Sequence, residues 1–440
     1  MFLFLPFFIT SKIKYGIVVD AGSSGTRFNF FTWDSQDNYP NVDTLKDKNG
    51  ASIYLELPKL PLSKVATDEK VLSDIFEPFI KLAVDSIPSD SLSKTRLFVY
   101  ATAGLRLLSI FDQQRVINLT FNYLVQKTPF KILPNSVRVI DGEEEGIFGW
   151  LSINHLRKNF QNQKPTEGCL DFGGASMQIT LEITDNLHDE PTKIVSIGNK
   201  KYSVYTHSYL GYGVYQASST ILQALLATSR NQTIYNPCYL KGYTGTKDGV
   251  NMIGTGDFSH CLDLTSFLLK HPTFSTVSKA NISGTPYWIG LSSIYYVNKF
   301  FQLNENSKLS DFQLITQEFC SLPFSEISPK FKYNDYCYDY CSQGVFQWNL
   351  LKNGFGYSDD THVIDKLSEI GGSELSWAAG ALLYNIADIE IEDIPQFSWV
   401  ILLLWTILFL GVLVLIYFKM FLNCNNPVNT ENSSISANLI

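Results

Sequence analysis

Histidine is scarce. The chain has 440 residues and six histidines, all scattered singly. No His-x-x-x-His pair is available to hold a metal on a helix, and no Ser–His–Asp set stands out. A Gly-x-x-x-x-Gly-Lys-Ser/Thr loop is also missing, so the chain is not a Walker-type nucleotide hydrolase. Basic residues are outnumbered: 34 Lys and Arg face 42 Asp and Glu, a net charge of −8. That balance argues against a nucleic-acid surface. It leaves a single nucleotide open as a ligand, because backbone N–H groups and a divalent cation can hold phosphates without a basic patch. Among seven cysteines, Cys238, Cys261, Cys320, Cys337 and Cys341 cluster in the second half with no histidine spacing beside them. Disulfides suit them better than zinc, with one thiol left over.

Charge vanishes from Trp399 to Phe418, a stretch long enough to span a bilayer. Trp399 and Tyr417 suit interfacial anchors, with Lys419 just beyond. We assign 397–418 to a transmembrane helix and 419–440 to a short tail. At the other end, Phe2 to Ile9 reads either as a signal-peptide core or as a truncated membrane anchor, within residues 1–14. Asn118, Asn231 and Asn281 open glycosylation sequons. Span, cysteines and sequons together place the body in a lumenal or extracellular compartment.

Two stretches share one order of parts. Ile17 to Asp20 is an apolar strand ending in Asp, followed by Ala21-Gly22-Ser23-Ser24-Gly25-Thr26-Arg27 and a second strand from Phe28. Cys169 to Asp171 repeats this, followed by Phe172-Gly173-Gly174-Ala175-Ser176-Met177-Gln178 and a strand from Ile179. Turns of so little bulk let backbone N–H groups approach an anion closely. Each Asp is placed to hold a water or a cation beside that anion. Ser176 and Gln178 alternate onto one strand face. Two such hairpins a domain's length apart suggest related halves facing each other across a cleft, gripping a polyphosphate from both sides.

Between the copies, Val71, Ile75, Phe79, Leu82 and Ala83 mark one face of a helix over 68–86, with Pro78 expected to kink or break it. Thr95 to Tyr100 is a strand running into Thr102 to Arg106, where active groups of open α/β sheets sit. Arg106 suits either a phosphate or a carboxylate. Ser109 and Asp112 suit a helix cap. Val137 to Ile140 is a strand, followed by a helix over 144–160 that opens on Glu143, Glu144 and Glu145. Successive helical residues point about 100° apart, so the three cannot all face one site. Residues 236–261 read as a stapled loop. Residues 287–301 read as an apolar helix, with Tyr295 and Tyr296 in its core.

Five blocks resemble the apyrase (ecto-nucleoside triphosphate diphosphohydrolase) family. They are Asp20 to Arg27, Ala101 to Arg106, Gly142 to Trp150, Leu170 to Gln178 and, more loosely, Ser376 to Gly380. The resemblance implies an α/β fold of two RNase-H-like domains of the actin/Hsp70 type around a central nucleotide cleft. One domain would comprise 15–142 with 377–394, the other 143–376. It implies Glu145 as the general base, with Ser176 and Gln178 positioning the attacking water. Asp20 and Asp171 would hold Ca²⁺ or Mg²⁺ through its water shell, with Trp377 on that side. Phosphates would meet Ser23, Ser24, Gly25, Thr26 and Arg27, then Gly173, Gly174, Ala175 and Ser176, with Thr102 and Arg106. Phe346 would stack on the base. Disulfides Cys238–Cys261 and Cys320–Cys341 are implied, with Cys337 and Cys169 left as thiols.

The expected activity is hydrolysis of the terminal phosphate of nucleoside tri- and/or diphosphates. The alternatives are an actin-like or sugar-kinase-like ATPase or phosphotransferase, and a non-catalytic nucleotide-binding ectodomain.

Overall fold

The computed structural model describes residues 13–34, 40–183, 192–229, 233–247, 249–271, 274, 287–304, 306–327, 331–334, 336–362, 369–370, 373–374, 376–392 and 397–424. The apolar segment 2–9, the sequon asparagines Asn231 and Asn281, and the tail beyond 424 lie outside them. The chain forms two compact units, Met1–Ile386 and Ala387–Ile440.

The first unit contains two principal sheets. Apolar strands β1 (Ile13–Ala21) and β2 (Gly25–Asp34) pair antiparallel around the first small-residue turn. Strands β3 (Asp43–Thr44) and β4 (Tyr54–Pro58) both pair with β2, while β5 (Arg96–Ala101) runs parallel to β1 and β6 (Val137–Val139) parallel to β5. The second sheet repeats the plan. Hairpin β7 (Gly168–Phe172) and β8 (Ser176–Glu182) is flanked by β9 (Thr192–Ile197) and β10 (Lys200–Leu210), in the order β9-β10-β8-β7. A three-stranded sheet of β11 (Thr233–Asn236), β12 (Thr244–Lys247) and β13 (Val250–Gly254) follows. Then β14 (Trp288–Ser292) joins the second sheet parallel to β7. In both sheets the hairpin's first strand gains a parallel neighbour on its open side and its second strand an antiparallel one. This is the mixed α/β architecture of the actin/Hsp70 type.

Helix α1 (Val71–Ser86) buries Val71, Ile75, Phe79 and Ala83 as the periodicity requires; Leu82 is only partly buried. Pro78 lies inside α1 without ending it. A short helix α2 (Ala103–Arg106) follows β5, and Ser109 caps α3 (Ile110–Lys127) by accepting from the Asp112 N–H. Helix α4 (Gly142–Leu156) crosses the second sheet. Its fully buried Gly146 leaves no room for a Cβ, which would lie 2.5 Å from both the Thr180 and Thr206 hydroxyls.

The later elements depart from expectation in two places. The stapled loop over 236–261 carries β12 and β13 and the start of α6 (Phe258–Leu269), which follows α5 (Val214–Thr228). The run over 287–301 splits into β14 and α7 (Ser293–Phe300), because the chain turns sharply at Ser292. Helices α8 (Leu309–Cys320) and α9 (Tyr340–Asn349) complete the second core. Disulfides Cys238–Cys261 and Cys320–Cys341 are present, and Cys169 and Cys337 are buried thiols.

Helix α10 (Ala378–Glu392) packs on the first sheet and on α4. Leu382 fills the space over Gly16 of β1, and the Gly380 N–H donates to the Ser152 hydroxyl of α4 at 2.7 Å. In the second unit, α11 (Phe397–Cys424) includes Leu402–Met420, with a mean hydropathy of 2.4. By length and composition it is able to cross a bilayer.

The α10–α4 contact sets one expectation. A Cβ on Gly380 would lie 2.0 Å from the Phe148 carbonyl oxygen, a backbone atom that cannot rotate away. Gly380→Ala should destabilise by ~1–3 kcal/mol, measured as a lower midpoint in chemical or thermal unfolding. An unchanged midpoint would contradict this packing.

Candidate active site

The two hairpins share a register as well as a composition. Asp20 is the penultimate residue of β1 and pairs with Arg27; Asp171 is the penultimate residue of β7 and pairs with Gln178. Both carboxylates line one cleft, together with Ser23, Ser24 and Arg27 of the first turn and Gly173 to Ser176 of the second. The turns touch: a Cβ on Gly174 would lie 2.7 Å from the Ser23 hydroxyl. A side chain there would have to displace the Ser23 hydroxyl and the Tyr215 ring. The carbonyls of Gly173 and Gly174 accept from Val214, Tyr215 and Gln216 at the start of α5. This satisfies the helix end and fixes the turn.

The three glutamates of α4 separate by role. Glu144 belongs to the cap: its N–H donates to Asp141, and its carboxylate accepts from Asp141 N–H and from both Arg138 guanidinium nitrogens, at 2.7 and 2.8 Å. Glu143 contributes its carbonyl, which accepts from Thr206. Glu145 turns inward, is 6% exposed and lines the cleft. Its Oε2 accepts from Arg106 and, at 3.3 Å, from the Gln178 amide. That amide also donates to Ser176 (2.8 Å) and Ser208 (3.1 Å), and Arg106 donates to Ser176 at 3.2 Å. Base, hydroxyl and amide therefore form one network.

Burial sets the electrostatics. Desolvation pushes the Glu145 carboxyl up to about 8, with Asp171 and Asp20 adding repulsion and Arg106 opposing. Asp20 is pushed up to about 6 by burial and by Asp171, against the pull of Arg27. Asp171 is raised by burial, moderated first by the Ser292 hydroxyl, which donates to its Oδ1 at 2.6 Å. Asp20 Oδ2 faces Arg27 at 3.5 Å, while its buried Oδ1 has no hydrogen-bond partner. An orphaned carboxylate oxygen opposite a second carboxylate suits a hydrated divalent cation. No group of three or more His, Cys, Asp or Glu at direct-ligand spacing occurs among the described residues.

Several expected contacts fall elsewhere. Thr26 is fully buried and donates to the Leu60 carbonyl, and Gly25 packs against Leu57 of β4, so neither side of that pair faces the cleft. Arg106 spends its guanidinium on Glu145 and Ser176 and lies behind the cleft wall. Phe346 is 2% exposed within the second core and does not line the cleft. The aromatic lining comes instead from Phe172, Tyr215, Tyr295, Tyr296 and Trp377; Thr102 lines it as expected. Tyr295 and Tyr296 are thus cleft residues, not core. Ser208 and Ser292 escape a sequence reading. For Ser208 a signal exists: Thr206 and Ser208 alternate between the aromatic rings of Tyr205, His207 and Tyr209, facing Thr180 and Gln178.

An actin-type α/β protein whose paired Asp-ended hairpins and a buried glutamate converge on one cleft is built to handle phosphate. The sequence matches the model of the GDA1/CD39 (nucleoside phosphatase) family over residues 8–396. The chain belongs to that family and is a nucleoside phosphohydrolase. Among curated relatives, it is 28% identical to "Probable apyrase 5" of Arabidopsis thaliana (85% of this chain, 83% of the relative). It is 27% identical to the "Golgi apyrase" of Schizosaccharomyces pombe (88% and 77%) and to "Ectonucleoside triphosphate diphosphohydrolase 2" of Gallus gallus (91% and 88%). A solved nucleoside triphosphate hydrolase from Neospora caninum shares the fold at a TM-score of 0.62 and 16% identity, over 86% of this chain and 93% of that one.

The raised carboxyls have a thermal consequence. The folded state retains protons that the unfolded chain releases, so their stabilising contribution is complete below about pH 4. It is lost as pH rises through about 6 for Asp20 and about 8 for Glu145. A divalent cation binding the ionised pair offsets that loss. The rise in melting temperature on adding Ca²⁺ or Mg²⁺ should therefore be larger at pH 8 than at pH 5. An equal or larger rise at pH 5 would count against the cation site.

Proposed function

We propose that this phosphohydrolase cleaves the terminal phosphate of nucleoside tri- and/or diphosphates, using water activated by Glu145. The observation that carries the proposal is the meeting of both hairpin turns with Glu145 in one cleft. The backbone N–H groups of Ser23–Ser24 and Gly173–Ala175 cradle the phosphates, with Arg27 and Thr102 beside them. Ser176, held by the buried Gln178 amide behind it, positions the attacking water, and Glu145 takes its proton. Arg106 keeps that carboxylate aimed and opposes the protonation that its burial favours. Asp20 and Asp171, with Trp377 alongside, would hold Ca²⁺ or Mg²⁺, which supplies neutralisation of phosphate charge when bound.

The two lobes are assigned as 15–142 with 377–394 and 143–376. The two disulfides and the apolar helix support a body outside the cytosol, anchored to a bilayer by α11. The names of the fission yeast and chicken relatives agree with a secretory-pathway or cell-surface membrane.

Phosphate release from ATP, ADP, GDP and UDP with Ca²⁺ or Mg²⁺ tests the assignment. Glu145→Gln should lower kcat by about 10²–10⁴-fold with nucleotide binding retained. Turnover equal to wild type would remove Glu145 from the mechanism. Because the base works ionised, kcat/KM rises with pH through the Glu145 titration. Loss of the neighbouring cation in Arg106→Gln should move that limb to higher pH; a limb that stays put would show that Arg106 does not set the base.

A further inference from the structure

Ser292 ends β14 with φ 63° and ψ −130°, a conformation in which glycine is at ease and serine is not. The strain has a geometric result. Ser292 pairs with Phe172 across the parallel strands, and Leu291 pairs with Asp171. On a regular strand Ser292 would share the face of Phe172 and point away from Asp171. The turn redirects it, and its hydroxyl donates to Asp171 Oδ1 at 2.6 Å. The conformation is held in place by the next residue: the Ser293 hydroxyl donates to the Phe172 carbonyl at 2.7 Å and accepts from the buried Gln347 amide at 3.1 Å. In the first sheet Ala101, one residue past the partner of Asp20, stands at the equivalent register position and has no hydroxyl. There Arg27 takes one Asp20 oxygen instead. Each acid thus has one oxygen tethered by its own lobe, through different chemistry.

We propose that Ser292 is a positioning residue for a divalent cation: by engaging Asp171 Oδ1 it orients the carboxylate and sets cation affinity. The inference rests on the reading of Asp20 and Asp171 as the cation-holding pair. A hydroxyl kept where glycine would relax the backbone, exposed to the cleft and spent on a buried acid, is explained by that role. A neutral donor orients Asp171 without adding a positive charge that would compete with the cation. Arg27 does compete on the other side, so Asp171 is the acid whose orientation governs affinity. Hydrogen-bond partners behind metal ligands typically matter by about 10–100-fold in affinity.

The test uses full-length protein in detergent or nanodiscs, titrated with Ca²⁺ or Mg²⁺ alone at pH 8 and followed by thermal shift. Ser292→Gly and Ser292→Ala should both raise the half-saturating cation concentration by about tenfold or more. Ser292→Gly should melt no lower than wild type in chelator, because it relieves the backbone. A merely structural serine predicts the reverse pattern: an altered melting temperature with unchanged cation affinity. Wild-type affinity in Ser292→Gly, alongside a lost response in Asp171→Asn, would overturn the role of Ser292 alone. No cation response in wild type would overturn the acid-pair reading and this inference with it.

Discussion

Three carboxylates, Asp20, Asp171 and Glu145, are held out of water within reach of one another's charge. Left alone, they would repel and take up protons. The structure opposes this with two guanidiniums: Arg27 beside Asp20, and Arg106 against Glu145. The second pairing reaches from the helix after β5 to the helix over the second sheet, and so ties the two sheets together. Much of the surrounding architecture follows from keeping these five groups in place. Gly142 leaves room for the Arg106 guanidinium, since a Cβ there would lie 2.5 Å from Nη1. The Asp141–Glu144 capping box fixes the helix start, so that Glu145 is the residue that turns inward.

The duplicated hairpin explains how one cleft receives matching parts from distant stretches of chain. Each sheet supplies a strand that ends on an acid and a turn without side-chain bulk. The copies then diverge in what lies opposite the acid. Arg27 occupies that register position in the first, and Gln178 in the second. A positive charge on one side and a neutral amide on the other suit different tasks. On the proposed reading, the first hairpin would neutralise phosphate, while the second would help align a water that must keep its lone pair.

The hairpins, the buried face of α1, the Ser109 cap and the strand-end position of Thr102 were legible because each depends on local pattern. Small turns, period-3.6 apolar spacing and capping residues act within a few positions of themselves. Arg106 was legible only as a cation near the site, since both phosphate and carboxylate suited it and the choice is made by a helix in the other lobe. Thr26 looked like a phosphate contact because its neighbours line the cleft, yet strand alternation sends its side chain to the Leu60 carbonyl. Apolar periodicity alone predicts one helix over 287–301 and so places Tyr295 and Tyr296 in the core. The positive φ at Ser292 breaks that run and opens both rings to the cleft.

Charge bookkeeping at the centre constrains the chemistry further. Three acids, with Glu56 sharing Arg27 as a fourth, against two arginines leave a net negative charge before any ligand enters, if all are ionised. A nucleoside polyphosphate adds several more, and its approach to a buried anionic floor would be unfavourable. Backbone N–H groups lessen that cost with partial charges only. Entry of the phosphate tail therefore calls for a mobile positive charge arriving with it or before it. The unpartnered Asp20 Oδ1 and the oriented Asp171 are the groups able to receive one. On the proposed reading, a cleft this acidic would favour the metal complex of the substrate over the free anion.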